Sequence, residues 1–84
     1  ERVTLQGRHI EKVEEASSGQ YKWDVITVEG DDRKFSTFSK TMAKVARAAK
    51  AEMLMCDVEV VLIEKSNGDQ HWNLAEIEAM EGAS

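Results

Sequence analysis

The chain has 84 residues, 42% of them hydrophobic and 32% charged, with no proline and a net charge of -5. That length allows one small domain, here taken as residues 1–84, and the composition is too apolar for a disordered chain. No apolar run is longer than the four residues Val60 to Ile63, so no helical membrane span is expected, and Glu1-Arg2-Val3-Thr4 opens without a signal-peptide pattern. Cys56 is the single cysteine, which excludes an internal disulfide and a multi-cysteine zinc site and fits a reducing, intracellular setting.

Val3, Leu5, Ile10 and Val13 mark an opening strand, with Gly7 breaking the alternation as a bulge. Ala16-Ser17-Ser18-Gly19-Gln20 reads as the first loop. The aromatic and β-branched stretch from Tyr21 to Glu29 predicts a second strand, and Gly30-Asp31-Asp32 supplies turn chemistry. A third strand is expected from Arg33 to Phe38. Ser39 then caps a helix whose apolar face holds Met42, Val45, Ala46, Ala49 and Met53, with Lys40, Lys44 and Arg47 opposite. Asp57 to Lys65 predicts a fourth strand, Asn67-Gly68 a type I′ turn, and His71 to Met80 a fifth strand. Met42, Met53, Met55 and Met80 are expected as core filler, and Cys56 as a small core or edge residue.

The expected fold is therefore all-β. Five antiparallel strands in so small a domain avoid exposed edges by curling into a barrel. The helix between strands three and four would plug one end.

Charge is unevenly distributed. Arg33, Lys34, Lys40, Lys44, Arg47 and Lys50 lie in a stretch to Ala51 that has no acidic residue, and the rest of the chain carries 16 acidic residues. Such asymmetry can create a local positive field on an acidic protein. An enzyme would need a cluster of reactive groups, and none is legible. His9 and His71 are far apart, Asp31-Asp32 lacks further oxygen ligands, and no phosphate loop or cofactor fingerprint occurs. No cofactor, no metal and no catalysis are expected.

Five aromatic residues occur: Tyr21, Trp23, Phe35, Phe38 and Trp72. In strand three Lys34, Ser36 and Phe38 share one face and Phe35 and Thr37 the other. With Phe38 ending that strand and Trp72 opening strand five, the chain resembles the OB-fold modules of single-stranded DNA-binding proteins, especially those of replication protein A. The resemblance spans essentially the whole chain and rests on element order and these aromatic positions. It implies a five-stranded Greek-key OB-fold barrel in which Phe38 and Trp72 stack on bases and Lys34 occupies a basic contact position. Both aromatics also admit a core role, since Phe38 sits at a strand-to-helix corner and Trp72 shares parity with Leu74.

Around them, Trp23 and Val25 read as core positions and Tyr21 as a rim residue suited to either role. Lys22 would lie on the outer face of strand two and reach a phosphate. The helix is expected away from the groove, so Lys22, Arg33 and Lys34 would be its main cations. The expected partner is single-stranded DNA, with RNA also admitted and no membrane. The rival is a protein-interaction or self-association module that buries Val61 and Ile63.

Overall fold

The structure is a computed structural model and describes residues 1–80. Five strands and one helix follow in the order β1 (Arg2–Ser18), β2 (Tyr21–Val28), β3 (Phe35–Thr37), α1 (Lys40–Ala51), β4 (Met55–Glu64) and β5 (Gln70–Ala79). All five strands belong to one sheet, with β1 hydrogen-bonded to β4 through its first half and to β2 through its second. Two register shifts make this possible, one between Leu5 and Arg8 and one between Ile10 and Lys12. Gly7 lies in the first, with φ of 61°, a backbone geometry that costs glycine nothing. Its N–H, freed from the ladder by the bulge, donates to Asp57 Oδ1 at 2.8 Å. Strand β3 pairs antiparallel with β2 and parallel with β5, so the sheet closes on itself in the order β1-β2-β3-β5-β4.

Alternating residues fill the interior: Leu5 and Ile10, Ile26 and Val28, Phe35, Val58 and Val60, and Leu74. The helix begins as expected at Ser39, whose hydroxyl accepts the Met42 N–H at 3.1 Å. Thr37 Oγ1 in turn accepts the Ser39 N–H at 3.0 Å, linking β3 to the cap. The buried helix face is Ala43, Ala46 and Ala49, three small residues that let the backbone lie close to the sheet. Of the four methionines only Met42 packs against the core. Met53, Met55 and Met80 are exposed, which corrects their expected role as filler.

The β1–β2 and β4–β5 hairpins also depart from expectation. Strand β1 runs on to Ser18, so the first loop shrinks to Gly19-Gln20, with glycine at the first central position as a type II′ turn requires. Rung-by-rung pairing with β2 overrides the weak strand propensity of Glu14 to Ser18. Between β4 and β5 only Gly68 has positive φ, 91°. Lys65 C=O accepts the Gly68 N–H at 2.9 Å and Lys65 N–H donates to Asp69 C=O at 2.7 Å. This is a three-residue loop with a glycine bulge, not a type I′ turn. Strand β3 is only three residues long because Asp31 gathers the chain before it, accepting the Arg33 N–H at 2.9 Å and binding its guanidinium.

Helix α1 ends with Leu54 N–H donating to Ala49 C=O at 2.8 Å and Met53 N–H to Lys50 C=O at 3.2 Å, the paired bonds of a Schellman motif. Met53 holds the left-handed position, φ 57°, that usually belongs to glycine, and it is 79% exposed. Met53→Gly is therefore expected to stabilise the fold by about 1 kcal/mol, seen as a higher urea midpoint at unchanged slope. A second expectation concerns acid. The Arg33 side-chain hydrogen bonds hold the Asp31 carboxyl below its ordinary value. Because the folded value is the lower one, this pairing stabilises the protein above the ordinary carboxylate range and is lost as pH falls through the lowered value. Asp31→Asn should thus lower the urea midpoint at neutral pH, and the gap from wild type should close on acidification.

Candidate functional site

Strand β2 determines which residues face outward. Asp24, Ile26 and Val28 are buried, so Tyr21, Trp23 and Val25 point to the outer face. Register carries this face across the sheet. Val25 sits opposite Ser36 on β3, and Ser36 beside Asn73 on β5. Phe38 follows Ser36 by two residues and His71 precedes Asn73 by two, which adds both to the same side.

All of these except Val25 line a cleft of about 420 Å³, bounded by Ser18 on the β1–β2 hairpin and Lys65 on the β4–β5 hairpin. Tyr21 is 61% and Phe38 66% exposed, while Trp23 is half-buried between them and the sheet. The Trp23 and Phe38 rings stand 6.1 Å apart at 56°, a tilted contact that leaves much of the Phe38 surface open to solvent. Three of the chain's five aromatic side chains thus meet on one open surface. Exposed apolar patches rimmed by polar groups mark interaction sites.

The structure brings together Tyr21, Ser36 and Phe38 from the expected set and adds Trp23, His71, Asn73, Lys65 and Ser18. Trp72 is placed elsewhere. Its parallel register with Phe35 turns it inward, where it packs against the core with the Arg33 guanidinium 4.6 Å over its ring. Arg33 is likewise not a free groove cation. Its Nη2 and Nε lie 2.6 Å and 2.9 Å from the two Asp31 carboxylate oxygens, so its charge is already paired. Lys22 shares the Asp24 side of β2, opposite Trp23, which corrects its expected outer placement. Lys34 is exposed one residue before β3 and is not among the residues lining the cleft. Lys65 is the lysine that does line it.

Trp23 and Val25 are corrected from core to surface. Both faces of β2 carry apolar side chains, and the buried Asp24 disguised which alternation was the inner one. The stabilising partner of Asp24 lies in α1, where Arg47 Nη2 approaches Asp24 Oδ1 to 2.5 Å. The helix cations Lys40, Lys44 and Arg47 are absent from the cleft lining.

A different face is acidic. On the outer side of β4 and β5, Asp57 sits opposite Glu78 and Glu59 opposite Glu76, with Arg2 bonded to Glu59 at 2.8 Å. Just inside it, Cys56 is wholly buried. Burial, and secondarily the Asp57 charge, raise its thiol above the usual range and disfavour the nucleophilic thiolate. No known protein family matches the chain, and neither does any curated protein or solved structure.

Proposed function

We propose that the chain is an OB-fold barrel whose cleft binds single-stranded nucleic acid, DNA first and RNA as well, without catalysing a reaction. The observation that carries this reading is the group Tyr21, Trp23 and Phe38, presented on an open sheet face between two hairpins. The fold reading draws support from the closed strand order, the parallel β3–β5 pairing and the single helix between β3 and β4. A base presents the same kind of π-face whatever its identity, so aromatic planes bind a strand with little sequence preference. The polar rim of Ser18, Ser36, Asn73 and His71 offers hydrogen bonds to sugar and base edges.

Electrostatics shape the expected affinity. With Arg33 paired to Asp31 and Arg47 to Asp24, Lys65 and the nearby Lys34 are the cations available to phosphate. The acidic β4–β5 face repels a polyanion and leaves the aromatic side as the approachable one. Stacking therefore supplies most of the binding, with modest affinity per module and a shallow salt dependence. A second reading, docking of a protein partner, is favoured by Val61 and Ile63. Their rungs oppose Asn73 and His71 and extend the apolar surface beyond the cleft, with Ile63 38% exposed.

Titration with an oligothymidine at low salt is expected to quench tryptophan fluorescence. Trp23→Phe should abolish that quench and Trp72→Phe should keep it. Phe38→Ala should cost about 1–3 kcal/mol of binding while the protein stays folded and the salt slope holds. No quench and no mobility shift, together with a complex or oligomer by light scattering that buries Ile63, would instead establish the protein-docking reading. Salt provides an independent check. Lys65→Ala should reduce the slope of log affinity against log salt by about 0.7, as for one phosphate contact on a single strand. Arg33→Ala should leave that slope unchanged and lower thermal stability instead.

A further inference from the structure

Asp24 is 1% exposed and lies on the strand that carries Trp23, facing the other way. Directly across the β1–β2 ladder stands Glu15. Two carboxylates on facing rungs repel, the more so when one is removed from water. Arg47 of α1 answers both, donating to Asp24 Oδ1 at 2.5 Å and standing 3.9 Å from Glu15 Oε1. Lys40 Nζ lies 3.8 Å from Asp24 Oδ2, which accepts no hydrogen bond among the described residues.

This rung is placed where it matters. The next rung outward pairs Ala16 with Trp23, and the hairpin tip pairs Ser18 with Tyr21. On the other flank Asp24 opposes Thr37, the residue before Phe38. The wall bearing Tyr21 and Trp23 thus stands on the rung that Arg47 neutralises, and the Trp23–Phe38 contact spans it on the outer face. We infer that Arg47 is a positioning residue for the cleft. It joins β1 to β2 beneath the aromatic wall and tunes ligand affinity without touching the ligand, an inference that rests on the reading of the cleft as a single-strand site.

The test compares Arg47→Met, Asp24→Asn/Arg47→Met and the control Lys44→Met by near-UV circular dichroism, thermal unfolding and oligothymidine affinity. Arg47→Met should weaken the near-UV aromatic signal and lower affinity about tenfold, because buried Asp24 loses its hydrogen-bonded cation and, with Glu15 across the ladder, keeps only Lys40 Nζ at 3.8 Å. Adding Asp24→Asn removes the repulsion and should restore both readouts to within about threefold of wild type. Lys44→Met should change neither. Neutralising a buried carboxylate also restores stability, so affinity and spectrum are read at a temperature where thermal unfolding shows every variant fully folded, and a lowered midpoint with unchanged affinity there counts as a structural role only. An unchanged spectrum and affinity in Arg47→Met overturns the inference, as does a double variant that recovers neither or fails to fold. Should Arg47→Met itself unfold, the double variant decides, and wild-type spectrum and affinity there support the inference. If the wild type binds no oligothymidine, the single-strand reading fails, and the near-UV comparison still decides whether Arg47 positions the wall.

Discussion

One strand has to serve two neighbours. The 17 residues of β1 hydrogen-bond first to β4 and then to β2, and a regular strand cannot leave one partner for another without bending. Gly7 makes the bend by adopting a left-handed backbone, and Asp57 makes it affordable by accepting the amide that the bulge removes from the ladder. Without this turn β1 could keep only one of these two partners in full, and the other would be left as an open edge, exposed to pairing with other chains. Closure gives the small protein an inside, filled by branched side chains and Phe35, and leaves an outside free to carry chemistry.

A third register shift divides that outside. In β5 the register against β4 slips so that Leu74 opposes Val60 while Glu76 opposes Glu59, and Ala75 takes up the extra position. Before the slip, odd-numbered His71 and Asn73 face outward. After it, Glu76 and Glu78 do. A regular strand would have turned these two glutamates to the same side as Leu74, into the core. The slip keeps Leu74 and Ile77 against the interior and gathers the carboxylates on a face of their own. One misaligned rung thus lets β5 give His71 and Asn73 to the cleft and Glu76 and Glu78 to the acidic face.

The two tryptophans show how similar side chains receive different work. Trp72 lies beside Phe35 under a guanidinium that Asp31 already holds, an arrangement that closes off part of the core. Trp23 lies outside with Phe38, its strand held from behind by an ion pair to the helix. Replacing that pair with apolar residues would be the more stable solution in many proteins. Here it connects β2, β1 and α1 through one guanidinium directly behind the cleft.

Much of the architecture was legible in the chain itself. Period-two alternation, the Ser39 cap, the glycine at the β1 bend and the turn residues are local signals. They act within a few positions and so identify the number, type and order of elements, and the split of Phe35 from Phe38 across β3. The placement of Trp23 was not legible, because its strand is apolar on both faces and an inward aspartate is tolerable only when a cation 23 residues away reaches it. The loss of Arg33 as a groove cation comes from Asp31, only two residues before it, whose turn position did not reveal that its carboxylate would fold back onto the guanidinium. The inward turn of Trp72 depends on a parallel pairing between strands more than thirty residues apart. The recruitment of Lys65, His71 and Asn73 to the cleft depends on a hairpin folding back beside β3. Local sequence decides which way a side chain alternates. Only tertiary pairing decides which of the two sides becomes the inside, since burial belongs to the assembled sheet and not to any one strand.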